Sequence, residues 1–167
     1  VSAKPASWYL NAAKRTVIAA VPGLARPDDA WALARLAPPE AELYRQLSAP
    51  ERAHAIEVAR CVLRRRPEAS AALVRAALLH DVGKLGSPHH VVWRVLTHLL
   101  PEPDLPPRPR LRGLAGARQA RQHHAAYGAE LIRRAGGGAD VADLVERHHD
   151  PTEPGDAADL RWCDART

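Results

Sequence analysis

Apolar positions along this chain recur every three to four residues, and no stretch alternates residue by residue. That period predicts helices throughout and an all-α fold. Residues 6–21 and 27–36 read as helices, split by the turn sequence VPGLARPDD. PPEAELYRQL makes a short third helix. Next comes SAPERAHAIEVARCVLRRR, with Ser48 ahead of Pro50 and Glu51. That is a capping box, so a helix starts directly after Ser48, and Pro67 ends it. Residues 69–85 predict the most buried helix, because Leu73, Val74, Leu78, Leu79, Val82 and Leu85 leave it almost no polar face. HHVVWRVLTHLL reads as another helix, and the prolines of residues 101–109 predict an extended loop. Residues 108–121 carry arginines and no acid, which reads either as a solvated loop or as a lid over an anionic substrate. HHAAYGAELIRRAG and VADLVERHHD are helices separated by GGGAD, and DAADLRWCDART is the last one.

A chain of 167 residues is long enough for one domain with its own core. The formal charge of +5 admits a nucleic-acid partner. The four Trp and three Tyr do not interleave with the arginines as stacking platforms would, so nucleic acid is not expected. No apolar run approaches the ~20 residues of a membrane span, and none near residue 1 reads as a signal peptide. Cys61 and Cys163 are too few for a disulfide framework, and Cys163 reads as core. A reducing, cytoplasmic setting without a membrane partner is expected.

The candidate chemistry lies in the histidines, all nine of which fall at or after residue 54. His54 has Val58 and Cys61 as helical neighbours, so it faces an apolar flank. His80 and Asp81 close the most buried helix. Consecutive helical side chains point ~100° apart, so this pair can hold one ion from adjacent sides. A buried carboxylate without a partner is costly, and a divalent cation offsets that cost while binding imidazole as well. Gly83 lets a second backbone come close. Lys84 stands out in a chain that otherwise prefers arginine. It reads as a point charge for a phosphate near the metal, or as a cation on the helix dipole. His89, His90 and His98 read as surface or pocket residues.

These residues resemble a known family. His54, His80-Asp81 and Asp164 in WCDA resemble the H…HD…D signature of the HD-domain superfamily, whose members are mostly metal-dependent phosphohydrolases on an all-helical fold. LLHDVGK resembles the HDxGK form of that motif. HHAAYGAELI is similar to the HPxxGAEIL segment of the dinuclear subgroup that includes the HD-GYP phosphodiesterases, and ERHHD is similar to its HH pair. The resemblance covers residues 48–167 and leaves 1–47 as an N-terminal helical extension. It implies an enzyme with two divalent transition-metal ions, Fe or Mn first, with Ni, Zn or Mg admissible. His54, His80, Asp81 and Asp164 are the implied ligands of one ion. Asp81 would bridge to a second held by His124, His148 and His149. His123 could replace His124, and one of His148 and His149 could stand behind the other. Lys84 and Asp81 are the implied catalytic residues.

Two departures bound the reading. DPTEPGDAADL replaces the DGxGYP element used in substrate recognition, so cyclic di-GMP hydrolysis is not expected. Pro50 stands four residues before His54 where a glutamate would serve a third metal. The expected substrate is a small phosphate mono- or diester, nucleotides included. An HD-fold di-iron oxygenase and a non-catalytic nucleotide-binding module are the alternatives.

Overall fold

The computed structural model describes residues 25–86 and 104–167, and these are helical with no strand among them. The expected helices at 6–21 and 89–100, with His89, His90 and His98, lie outside the described residues. Helices α1 (Asp29–Leu33), α2 (Pro38–Arg45) and α3 (Ala49–Arg65) come first. Helix α4 (Ala71–Leu79) and a 3-10 turn (Val82–Lys84) follow. The chain closes with α5 (Gly113–Ala135), α6 (Ala139–Arg147) and α7 (Asp156–Asp164). No helix of the described residues is long and apolar enough to cross a membrane.

Helix α4 is the centre of the bundle. It packs against α2, α3, α6 and α7, and the 3-10 turn that follows it packs on α5. Leu73, Ala76, Ala77, Leu78 and Leu79 are completely buried, as the apolar run requires. Val58 and Val62 of α3, Ile132 of α5, Val141 and Val145 of α6 and Leu160 of α7 close the same core.

Local chemistry explains where the helices begin. At α3 the Glu51 carboxylate accepts from the Ser48 amide (2.8 Å) and hydroxyl (2.7 Å), the expected capping device. Helix α4 starts where Ser70 Oγ accepts from the Leu73 amide at 3.1 Å. Gly136, at φ +82°, ends α5 in the left-handed conformation that favours glycine.

Three sequence expectations are corrected. The helix expected over 69–85 stops at Leu79, because His80 and Asp81 turn the chain and Val82–Lys84 form a separate 3-10 turn. The arginine-rich stretch 108–121 is neither solvated loop nor lid beyond residue 112. From Gly113 onward it is the first half of α5. Proline ends at residue 109, and arginine is a strong helix former, so its charge count was a poor guide to backbone. The loop before it is pinned to α5 by Gln119, whose Nε2 donates to the carbonyls of Pro106 (2.6 Å) and Pro109 (2.9 Å). The third correction concerns the cysteines. Cys61 of α3 and Cys163 of α7 form a disulfide, with Cα atoms 5.7 Å apart. Cys163 is core as expected, yet the pair no longer supports a reducing compartment.

The described residues before Ser48, 25–47, contribute to the core. Ala32, Leu43, Tyr44 and Leu47 join the same buried cluster as α3 and α4. Glu40 of α2 is the polar tie. Its buried carboxylate accepts from Arg75 Nε of α4 (2.7 Å), the Ala37 amide (3.1 Å) and the Gly138 amide ahead of α6 (3.1 Å). Burial raises the pKa of this group, but Arg75 and the two amides outweigh that and hold it below the usual value. A depressed folded pKa means the contribution to stability is complete above the ordinary carboxyl range and is lost as pH falls through the folded value. Glu40→Gln should therefore cost about 3 kcal/mol at neutral pH, because Arg75 is left without its charge. Urea titrations of both proteins from pH 7 to pH 3 should show the gap closing on acidification. A gap independent of pH refutes the ionic role.

Candidate metal centre

The turn after α4 carries the centre. His80 caps α4 and Asp81 follows, with side chains 0% and 5% exposed. Asp81 Oδ1 lies 3.5 Å from His80 Nε2, 3.6 Å from His124 Nε2 of α5 and 2.6 Å from Lys84 Nζ. One carboxylate oxygen thus faces two imidazoles and an ammonium. On the other side of His80, Asp164 Oδ1 of α7 stands 3.4 Å from its Nε2 and 3.1 Å from His54 Nε2 of α3. The rings continue to α6. His148 meets His80 edge-on with centroids 5.6 Å apart, and meets His124 at 5.5 Å. His149 Nε2 and His124 Nε2 are 2.9 Å apart.

The helices themselves orient three of these rings. His80 donates Nδ1–H to the Ala77 carbonyl (2.9 Å), His124 to that of Arg121 (3.0 Å) and His148 to that of Val145 (2.5 Å). Each acceptor lies three residues back along the same helix. A carbonyl can only accept, so Nδ1 holds the proton, and the neutral ring turns its Nε2 lone pair inward. The Nε2 atoms of His80 and His148 are buried and make no hydrogen bond. A buried polar atom without a partner is costly, and three imidazoles with Nδ1 bonded to carbonyls are the donor set that divalent transition metals take.

Electrostatics divides the centre. Burial pushes His124 down to about 3, and the Lys84 ammonium adds to it. Burial and the neighbouring imidazoles hold His148 well below the ordinary value, and His149 is lowered mainly by burial. These three rings are neutral at pH 7 and ready to act as ligands. His80 goes the other way. Burial lowers it, yet Asp81 and Asp164 outweigh burial and favour positive charge at that ring. Both carboxyls resist protonation despite burial. Lys84 leads for Asp81, and the neighbouring His54 and His80 rings lead for Asp164. The residues therefore fit a divalent cation.

Two groups of ligand atoms are close enough to converge, each within 4.8 Å: His54, His80 and Asp81 in one, His124, His148 and His149 in the other. Asp164 joins the first group through its contacts to His54 and His80. The structure thus brings all seven sequence-predicted ligand candidates together. His123, the other member of its doublet, instead donates Nε2–H to the Leu105 carbonyl at 2.6 Å and helps pin the loop. Lys84 is 30% exposed and sits on Asp81 itself, a contact its spacing did not announce. Gln119 and the cysteine pair were missed altogether. Neither carries a signal in sequence beyond residue type.

Gly83 permits the approach of the two halves. A Cβ there would lie 1.8 Å from the His124 carbonyl oxygen and 2.6 Å from the Gly128 amide nitrogen, both backbone atoms. Gly83→Ala must push the 3-10 turn away from α5 and separate Asp81 from His124. Urea unfolding should register a loss of at least about 3 kcal/mol, the upper range for overpacking, because backbone cannot swing aside. A variant as stable as the wild type contradicts the close approach.

No curated protein and no solved structure matches the chain. The HD domain family profile matches residues 52–165, a span that runs from α3 to α7 and includes all seven converging residues. The family commonly comprises metal-dependent phosphohydrolases and binds divalent metals through such His and Asp groups. On the helical fold and this match together, the chain belongs to the HD domain family.

Proposed function

We propose that this protein is a metal-dependent phosphohydrolase that acts on small phosphate mono- or diesters, nucleotides included. The observation that carries the proposal is the position of Asp81: it belongs to one convergent ligand group, its Oδ1 lies 3.6 Å from His124 Nε2 of the other, and it also holds Lys84 at 2.6 Å. His54, His80, Asp81 and Asp164 would hold one ion, and His124, His148 and His149 the other, with Asp81 common to both. Bound divalent ions supply Lewis-acid polarisation of a phosphate and an acidified water at neutral pH. The protein's own groups do the rest. The backbone carbonyls behind His80, His124 and His148 hold the rings in the tautomer that presents Nε2. Lys84 is partly exposed beside the buried carboxylate, so its ammonium can neutralise charge on the non-bridging oxygens of a phosphate. His149 is the exposed member of its group, which supports an open side of the centre at that ring. The ammonium of Lys84 favours an anionic substrate over the C–H substrate of an oxygenase.

A hydrolysis screen over nucleotides and generic phosphodiesters, run with Mn, Fe, Ni and Mg in parallel, tests the proposal. Oxygen uptake with Fe(II) and no phosphate release would replace it with the oxygenase reading. His124→Ala should keep its fold, lose one of two ions by elemental analysis, and lose most activity. Lys84→Ala should keep its metal and lose on the order of 10²–10³ in kcat/KM, as removal of one transition-state charge contact does. Metal loss in the lysine variant, or full activity, contradicts its assigned role.

A further inference from the structure

Helices α3 and α7 are closed like a zipper whose contacts run in opposite directions along the two. At one end Arg65 and Arg66 hold Asp159 and Asp156 at 2.7 and 2.5 Å. The Cys61–Cys163 disulfide comes next. At the far end His54 meets Asp164 at 3.1 Å. Position falls along α3 from 66 to 54 while it rises along α7 from 156 to 164, so the helices are antiparallel. Helix α7 has nine residues and buries Ala157, Leu160 and Cys163. Leu160 is the one large apolar side chain among those three. The ion pairs hold only its first half. Its second half, where Asp164 lies, is held by Cys163, by the Arg65 guanidinium over the Trp162 ring at 4.5 Å and by Arg161 on the Asp150 carbonyl. The disulfide is the covalent tie among these, and it stands one residue before Asp164.

We propose that this disulfide is a thiol-controlled latch on the metal centre: oxidised, it holds Asp164 against His54, and reduced, it releases the carboxyl end of α7 and weakens metal binding. The inference rests on the metal reading above for its second half and on the helix packing for its first. The chemistry is ordinary exchange. A thiolate of a dithiol attacks one sulfur, the Cys61–Cys163 bond breaks, and the mixed disulfide is resolved by the second sulfur of the reagent. Two electrons and two protons pass to the protein as two thiols, and the dithiol leaves as a cyclic disulfide. Two molecules of glutathione do the same and leave as glutathione disulfide. Both cysteines are buried, so attack needs α7 to open locally. Linkage then makes the effect reciprocal: if reduction weakens metal affinity by some factor, metal must favour the oxidised pair by the same factor.

The test uses the whole chain, oxidised or reduced with dithiothreitol, and Mn²⁺ as the probe. Reduction should lower Tm by on the order of 5–10 °C, since the bridge closes a long loop. Hydrogen exchange should accelerate at residues 160–164 and not in α4. Mn²⁺ affinity by calorimetry should fall about tenfold, within the usual range of coupling between sites. In glutathione buffers, alkylation of free thiols should show Mn²⁺ raising the oxidised fraction by the same factor. The Cys61→Ala/Cys163→Ala variant should match the reduced protein and ignore dithiothreitol. A lower Tm with unchanged Mn²⁺ affinity and unchanged exchange in α7 overturns the latch and leaves a plain staple. Free thiols in protein equilibrated with glutathione disulfide overturn it as well. If neither form binds Mn²⁺, the metal reading fails for that ion, and exchange at 160–164 alone decides whether the disulfide holds the helix.

Discussion

The burial of the Asp81 carboxylate is the constraint around which the molecule is arranged. A carboxylate with 5% of its side chain exposed cannot remain charged unless cations or strong donors surround it. Helix α4 delivers it to the centre of the bundle because that helix is apolar on nearly every side, Arg75 being its one charged residue. Having delivered it, the helix has to stop. Continued helix would carry Asp81 past its partners, and the 3-10 turn instead seats Gly83 against the backbone of α5. Lys84, His80 and His124 then converge on one oxygen, and the carboxyl stays ionised in spite of its burial.

The imidazoles answer a second constraint, that of direction. A histidine on a helix can give Nδ1–H to the carbonyl three residues earlier, and His80, His124 and His148 all do so. The ring is then fixed by its own helix and costs little from the rest of the fold. What remains for tertiary structure is to bring three helix segments together so that the Nε2 atoms meet. Neutral rings beside two ionised carboxyls divide the centre into a more anionic half at His54, His80, Asp81 and Asp164 and a more neutral half at His124, His148 and His149. That division is a property of this chain's packing.

The segment before α3 serves the same centre at a distance. Glu40 ties α2 to α4 and to the start of α6, and so couples two of the elements that carry histidines. Trp31 lies between the guanidinium groups of Arg35 and Arg60, and Arg60 also holds Asp28 at 2.6 Å. Exposed pairs of this kind contribute little individually. Tyr44 and Leu47, fully or almost fully buried, contribute more by filling the core beside α3.

Much of this was legible in sequence because it depends on local rules. The capping box at Ser48 and Glu51, the apolar run of α4 and the histidine spacing are local statements, and each holds in the structure. So does the likeness of LLHDVGK to the HD motif, since the motif is contiguous. The breaks and meetings were not legible. Gly83 is the weakest helix former between 73 and 85, and the change to a 3-10 turn after His80 and Asp81 seats it against the backbone of α5. The arginines of 113–121 were read by charge, whereas helix propensity and the anchoring of the preceding loop by Gln119 decided their backbone. Cys61 and Cys163 are 102 residues apart, and only the antiparallel closure of α3 on α7 makes them neighbours. Sequence alone determined which side chains are the candidate ligands and that helices present them. Tertiary structure decided which of them share an oxygen, because distance between residues on different helices is set by packing and not by spacing along the chain.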